Sequence, residues 1–193
     1  FCYDNAGVPT LEFLAWTNDT TRATALAWQN GIRVKSGDAT RRYLGKFYTT
    51  STTQSEDSFA KRFLINHYNQ VPRPMKVVET TTQWNYTTAT WQQARATVTN
   101  QLDCLVDEDN GLVSANVHVS ASGTATRNCA VGVGVDSITV NSAWIFGGGV
   151  IAGVVTNTDA FYKGYPGAGR HYFAWLERSE TGGITTWYGT PAD

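Results

Sequence analysis

Ser58-Phe59-Ala60-Lys61 has the S-x-x-K spacing that arms a serine nucleophile in one large class of acyl-transfer enzymes. That chemistry needs the lysine one helical turn from the hydroxyl, to ease its deprotonation. It also needs an S-D-N and a K-T-G element, and neither occurs in the chain. The tetrapeptide alone therefore implies no acylation, and SEDSFAKRFL is expected to hold one helical turn at most. His67, His118 and His171 are the only histidines. No two stand at i, i+2 or i, i+4 and there is no H-E-x-x-H, so no local metal motif exists. His118 alternates with valines and is assigned to the polar side of its strand; His171 begins a strand beside Arg170. Ordinary surface or hydrogen-bonded imidazoles account for them, with a triad assembled from distant segments left open.

Asp107-Glu108-Asp109-Asn110-Gly111 clusters oxygen ligands of the kind Ca²⁺ takes. It lacks the distal glutamate and flanking helices of a helix-loop-helix site, and reads as a solvated hairpin tip. Glycoside hydrolysis needs two carboxylates about 5 to 9.5 Å apart, and nothing in the linear order of the 16 acids pairs any two of them. Cys2, Cys104 and Cys129 are odd in number and show no C-x-x-C spacing. They read as reduced thiols rather than a disulfide framework or a zinc site, with Cys104 and Cys129 serving as small hydrophobes. No cofactor-binding or metal motif is present, and none is expected.

VKSGDATRRYLGKF, residues 34–47, gathers four cations and two glycines. Its glycines are wrongly spaced for a phosphate-binding P-loop, and Lys46 is followed by Phe47. Alternation explains it better: a strand ending at Val34, a turn at Ser36-Gly37-Asp38, then a strand with Tyr43, Gly45 and Phe47 on one face and Arg42, Leu44, Lys46 and Tyr48 on the other. Arg41, Arg42 and Lys46 are the candidates for contact with a partner subunit or an anionic surface. Aromatic side chains stack on sugar rings and carry polar tips for hydroxyls. Trp84, Tyr86 and Trp91, in a Thr- and Gln-rich stretch, and Trp187 near the C-terminus are the candidate glycan-binding residues. Trp16, Trp28, Trp144 and Trp175 are assigned to the core.

The elements that must position these groups are strands. Charged residues make up 16% of the 193, against about 25% in soluble domains, and threonine, aromatics and glycine fill the difference. A net charge of −1 gives no positive field for nucleic acid. No apolar run approaches the twenty residues of a membrane-spanning helix. GLVSANVHVSAS alternates strictly and is expected to form a hairpin with QLDCLVD across Asn110-Gly111. RHYFAWLERS and ITTWYG are expected to form another across ETGG. NCAVGVGVDS reads as a strand whose glycines admit close neighbours. KRFLINHY and MKVVETTTQWNYTT read as strands around VPRPM, and TRATALAWQNG as either a short helix or an edge strand. About eight to ten strands, with at most one or two short helices, predict an all-β antiparallel sandwich of jelly-roll type. No linker or repeat divides it, so residues 1–193 are read as one domain, and the start at Phe1 suggests a processed form or a piece of a longer chain.

Over nearly its whole length the chain also resembles a domain of virion structural proteins from tailed bacteriophages. WTNDTTRATALAWQNGIRVKSGDATRRYLGKFYTT and SEDSFAKRFLINHYNQVPRPMKV carry the resemblance most strongly. It continues more loosely through WNYTTATWQQAR, QLD, GYPGAGRHYFAWLE and TTWYG. Such proteins form head or tail fibres, spikes and other surface appendages. The resemblance implies a virion-surface location, oligomerisation, often as a trimer, and other virion proteins as partners. It brings no catalytic residues, so no enzyme activity is expected. The leading expectation is a non-enzymatic homotrimeric appendage domain touching host-surface polysaccharide. One alternative is a capsid-decorating or connector module binding only virion proteins, and a second is a glycan-processing enzyme.

Overall fold

Valine and alanine alternating with serine, asparagine and histidine make Val113–Gly123 an extended segment of 11 residues, because successive side chains on a strand point to opposite faces. In the computed structural model, which describes residues 1–146 and 149–190, this strand is the middle of a five-stranded sheet. Its order is Gln83–Tyr86, Thr185–Tyr188, Val113–Gly123, Thr156–Gly164, Trp144–Phe146, and every pairing is antiparallel. The inward residues Ala115, Val119, Ala121, Ala160 and Trp187 are buried. Against them lies a second layer in which Ala130–Val135 pairs antiparallel with residues 173–178. Val119, Ala121, Cys129, Val131, Val150, Ala160 and Trp187 close the core between the layers. The protein is all-β with a sandwich-like construction, and among the described residues the only helical segment is the 3₁₀ turn Ala94–Ala96.

The described chain divides into two compact units. The first comprises residues 1–74, 104–111 and 167–171; the second, which holds the sandwich above, comprises 75–103, 112–166 and 172–193. Each draws on separated stretches of chain, which is why no boundary is visible in the linear sequence. In the first unit Val8–Leu11, Cys2–Asn5, Asp38–Arg42, Ile32–Lys35 and Leu26–Gln29 form a five-stranded sheet in that order. The segment left open between helix and strand is thus the edge strand Leu26–Gln29. The turn at Ser36-Gly37 connects the paired residues Lys35 and Asp38. Gly37 supplies the positive φ of 82° it requires.

Beyond Arg42 the predicted single strand is broken. Gly45–Phe47 pairs instead with Leu64–Asn66. Gly45 has φ 149°, and a Cβ there would stand 2.0 Å from the Ile65 carbonyl oxygen, so only glycine fits. The break undoes the predicted faces: Tyr43 is buried while Phe47 is exposed. Neither predicted hairpin forms. Val113–Gly123 pairs with Thr156–Gly164 and Thr185–Tyr188, and Thr185–Tyr188 pairs on its other side with Gln83–Tyr86. Long-range partners with matching apolar faces outcompete the local turns. The glycines of Ala130–Val135 do admit close neighbours: a Cβ at Gly132 would stand 2.3 Å from Asn141 Oδ1, and one at Gly134 2.0 Å from the Ser137 carbonyl oxygen.

Burial divides the tryptophans sharply. Trp187 has 0% of its surface exposed, whereas Trp144 has 76%. Trp187→Ala should therefore lower stability by about 3–5 kcal/mol, and Trp144→Ala should shift it by about 0.5 kcal/mol or less. Urea denaturation of the two variants against the parent chain measures both.

Candidate functional site

Asp107, read from sequence as part of a solvated tip, is buried. Its carboxylate gathers the first unit's polar groups. Oδ1 accepts from the Tyr43 hydroxyl at 2.8 Å. Oδ2 accepts from His67 Nδ1 at 2.5 Å and from Gln70 Nε2 at 2.9 Å. Arg22 donates to the Tyr43 oxygen at 2.9 Å and lies over the Tyr43 and Trp16 rings. The neighbouring Glu108 takes a two-pronged bond from Arg33, at 2.7 and 2.6 Å. Burial raises the Tyr43 phenol above its ordinary pKa, and Asp107 adds to the rise. His67, Asp107 and Glu108 offer three donor atoms within 4.8 Å of one another. These atoms are already occupied: the Asp107 oxygens hold three donors and Glu108 holds Arg33. The arrangement is a charge-assisted structural network rather than a set of open ligands.

The second unit has its own buried acids. Glu177 is fully buried and accepts from Trp84 Nε1 at 2.6 Å, Gln92 Nε2 at 2.7 Å and the Arg95 backbone N–H at 3.1 Å. Burial raises its pKa, and the three bonds only partly offset the rise. Glu79, also buried, accepts from the Thr81 N–H at 2.8 Å, Arg95 Nε at 2.8 Å and Asn100 Nδ2 at 2.9 Å. Desolvation pushes its pKa up, but the bonds from Thr81, Arg95 and Asn100 outweigh it and hold the value at about 2. Arg95 thus bridges the two carboxylates, and it does so from a left-handed backbone: Arg95 has φ 55° and Ala96 φ 50°. Two acids with opposed pKa shifts resemble an acid–base pair. Both are sealed from solvent and saturated with donors, so no substrate oxygen reaches them.

The S-x-x-K residues also form no nucleophile. Ser58 Oγ donates to Glu56 at 2.8 Å and Lys61 Nζ to the same carboxylate at 2.8 Å. Cys129 lines a depression with Asn128, Ala130, Arg178, Ser179 and Glu180. Burial pushes its thiol to about 11, unfit for nucleophilic work at neutral pH.

The four aromatic candidates face inward. Trp187 is a core residue, correcting its assignment to a glycan surface; it opposes Trp84 in the strand pairing. Trp84 stacks edge-on to Trp175 at 5.6 Å and is tied to Glu177. Tyr86 packs against the same core and donates its hydroxyl to the Thr90 carbonyl oxygen. Trp91 is half-buried, with its ring edge beside Gly132. Of the cationic candidates, Lys46 is buried and donates to the carbonyls of Val106 and Asp107, which removes it from any external anion. Burial, with Arg22 nearby, lowers its pKa to about 7. Arg41 lies 3.7 Å over the Tyr3 ring and pairs with Asp38 and Glu12. Arg42 is exposed and stacks on Tyr68.

What the sequence reading missed is the outward face of the five-stranded sheet. His118 does face solvent there, as its alternation predicts, and is paired with Asp159. Beside that pair Ser120 donates to Asn157 at 2.8 Å; further along, Ser122 meets the Tyr188 hydroxyl at 2.9 Å and Thr186 donates to Asn85 at 2.9 Å. Trp144, assigned to the core, stands on this face opposite Phe161. Trp28, also assigned to the core, is 61% exposed on the first unit and carries Arg33 over its ring. The alternation of Thr156–Gly164 was the signal that places Phe161 outward, alongside Asn157, Asp159 and Lys163.

The protein is all-β and sandwich-like, and the carboxylates of Asp107, Glu79 and Glu177 are buried and hydrogen-bonded within it. No protein-family model matches the chain, and no curated protein matches it either.

Glu79 provides a test of the buried network. Its folded pKa lies below the ordinary 4.5, so the stability it contributes is present above about pH 4.5 and lost as pH falls through about 2. Glu79→Gln should be less stable than the parent at pH 7, and the gap should close progressively between pH 4.5 and 2. Urea midpoints across that range read the effect; a gap independent of pH would contradict it.

Proposed function

We propose that this chain is a non-enzymatic structural domain of a tailed-phage surface appendage, assembled as a homotrimer with other virion proteins and touching host-surface polysaccharide. One observation carries the non-enzymatic part: the acids and bases that converge around Asp107 and around Glu177 are enclosed and hydrogen-bonded to one another, and among the described residues no open carboxylate pair or activated nucleophile stands beside them. The location rests on the resemblance of WTNDTTRATALAWQNGIRVKSGDATRRYLGKFYTT and SEDSFAKRFLINHYNQVPRPMKV to phage virion proteins.

Assembly with other protein surfaces is supported by an apolar patch on the first unit. Phe13 and Phe47 meet edge to face at 5.5 Å, Leu64 pairs opposite Phe47, and all three are exposed. Clustered exposed rings of this kind mark sites of protein association.

Two measurements test the reading. Light scattering of the isolated chain should give a trimer, and Phe47→Ser should shift it toward monomer; a stable monomer at micromolar concentration counts against self-assembly. Incubation with host polysaccharide should release no reducing sugar, and release would establish the enzymatic alternative. Imaging of labelled domain on intact particles decides between an outward-facing appendage and a decorating module.

A further inference from the structure

We propose that the outward face of the five-stranded sheet binds neutral polysaccharide, with Trp144 and Phe161 as the stacking platform. The inference rests on the glycan-contact reading above and gives it a site and a ligand class. Trp144 and Phe161 are directly opposed across two antiparallel strands, so their side chains leave the same face about 4.5–5.5 Å apart at Cβ. They are 76% and 39% exposed. On the other side of Phe161 its cross-strand partner is Asn116, which is also exposed. One row across three strands therefore offers two ring faces and an amide.

The occupant follows from charge and chemistry. The next row is His118 and Asp159, hydrogen-bonded to each other. Lys163 is the one other charged side chain among the outward residues of the two central strands. A polyanion would need clustered Lys or Arg to replace its counterions, and here there is a single lysine. A protein partner would need about 800 Å² a side with an apolar centre, and here Trp144 and Phe161 stand beside polar side chains: Ser114, Asn116, His118, Asp159 and Lys163. Hydroxyls and amides both donate and accept, as sugar hydroxyls do, and rings cover the apolar face of a pyranose. Neutral sugar is the ligand that satisfies all of these. Each contact is weak, and several copies on one appendage raise the avidity.

The test uses the full chain in native gels cast with dextran, with galactomannan and, separately, with anionic alginate. Retardation by at least one neutral polymer is expected and should persist in 0.5 M salt. Trp144→Ala and Phe161→Ala should each weaken it about tenfold or more, Phe161→Tyr should retain it, and Trp28→Ala, on the first unit, should leave it unchanged. The thermal melt of Trp144→Ala should match the parent, because that side chain is 76% exposed, and melts of Phe161→Ala and Phe161→Tyr confirm that each variant is folded at the temperature of the gels. Retardation that survives both alanine substitutions overturns this face while leaving glycan contact by the domain intact. Retardation by alginate alone, abolished by salt, overturns the neutral ligand class. Absence of retardation on both neutral polymers overturns the proposal, and the appendage reading is then decided separately by imaging on particles.

Discussion

The register of Val113–Gly123 is the constraint on which the second unit depends. The strand is hydrogen-bonded on both sides, so a slip of one residue would exchange its faces completely. Val119 and Ala121 would be driven into solvent, and His118, Ser120 and Ser122 into the core. Because each neighbour has one apolar side of its own, that alternative is excluded by a whole sheet of mismatched pairs rather than by any single contact. The same alternation that fills the interior decides what the exterior offers: a broad face of hydroxyls, amides and aromatic rings, with the acid Asp159 and the imidazole of His118 spent on one another.

A second theme is that ionisable groups are turned inward and consumed. A buried carboxylate is tolerable only when its lone pairs are filled. Asp107 and Glu177 each meet that condition with three side-chain or backbone donors. Lys46 meets the corresponding one with two carbonyls. These networks link segments far apart in sequence, Glu177 to Trp84 and Asp107 to Tyr43, and so fix the packing of each unit in ways that apolar contact alone leaves loose.

Strand content and the facing of His118 were legible from period-two alternation, and close approach at Gly132 and Gly134 from glycine in an otherwise apolar run. Partner choice was not. A turn such as Asn110-Gly111 marks a reversal, but long-range strands with complementary faces decided the pairing. Tryptophan environment was misread for a related reason. Trp187 sits among threonines, yet Thr185 is itself fully buried because a hydroxyl bonded to Ser179 Oγ at 2.6 Å costs little inside. Trp144 sits in an apolar run, yet lies in the strand at the end of the sheet order, where there is a layer on one side only. The buried acids were invisible because their donors are scattered along the chain, with sequence gaps of 93 residues for Trp84 and 85 for Gln92 relative to Glu177.

The left-handed pair Arg95-Ala96 has a kinetic implication. Two adjacent side-chain-bearing residues in that region cost about 1–3 kcal/mol each, and the acceptor that steadies the Arg95 N–H belongs to a residue 82 positions downstream. During synthesis from the N-terminus the bend has no such support until Glu177 has emerged. Its amide thus reports on the strand Gly169–Arg178, gaining protection from hydrogen exchange only when that strand has docked.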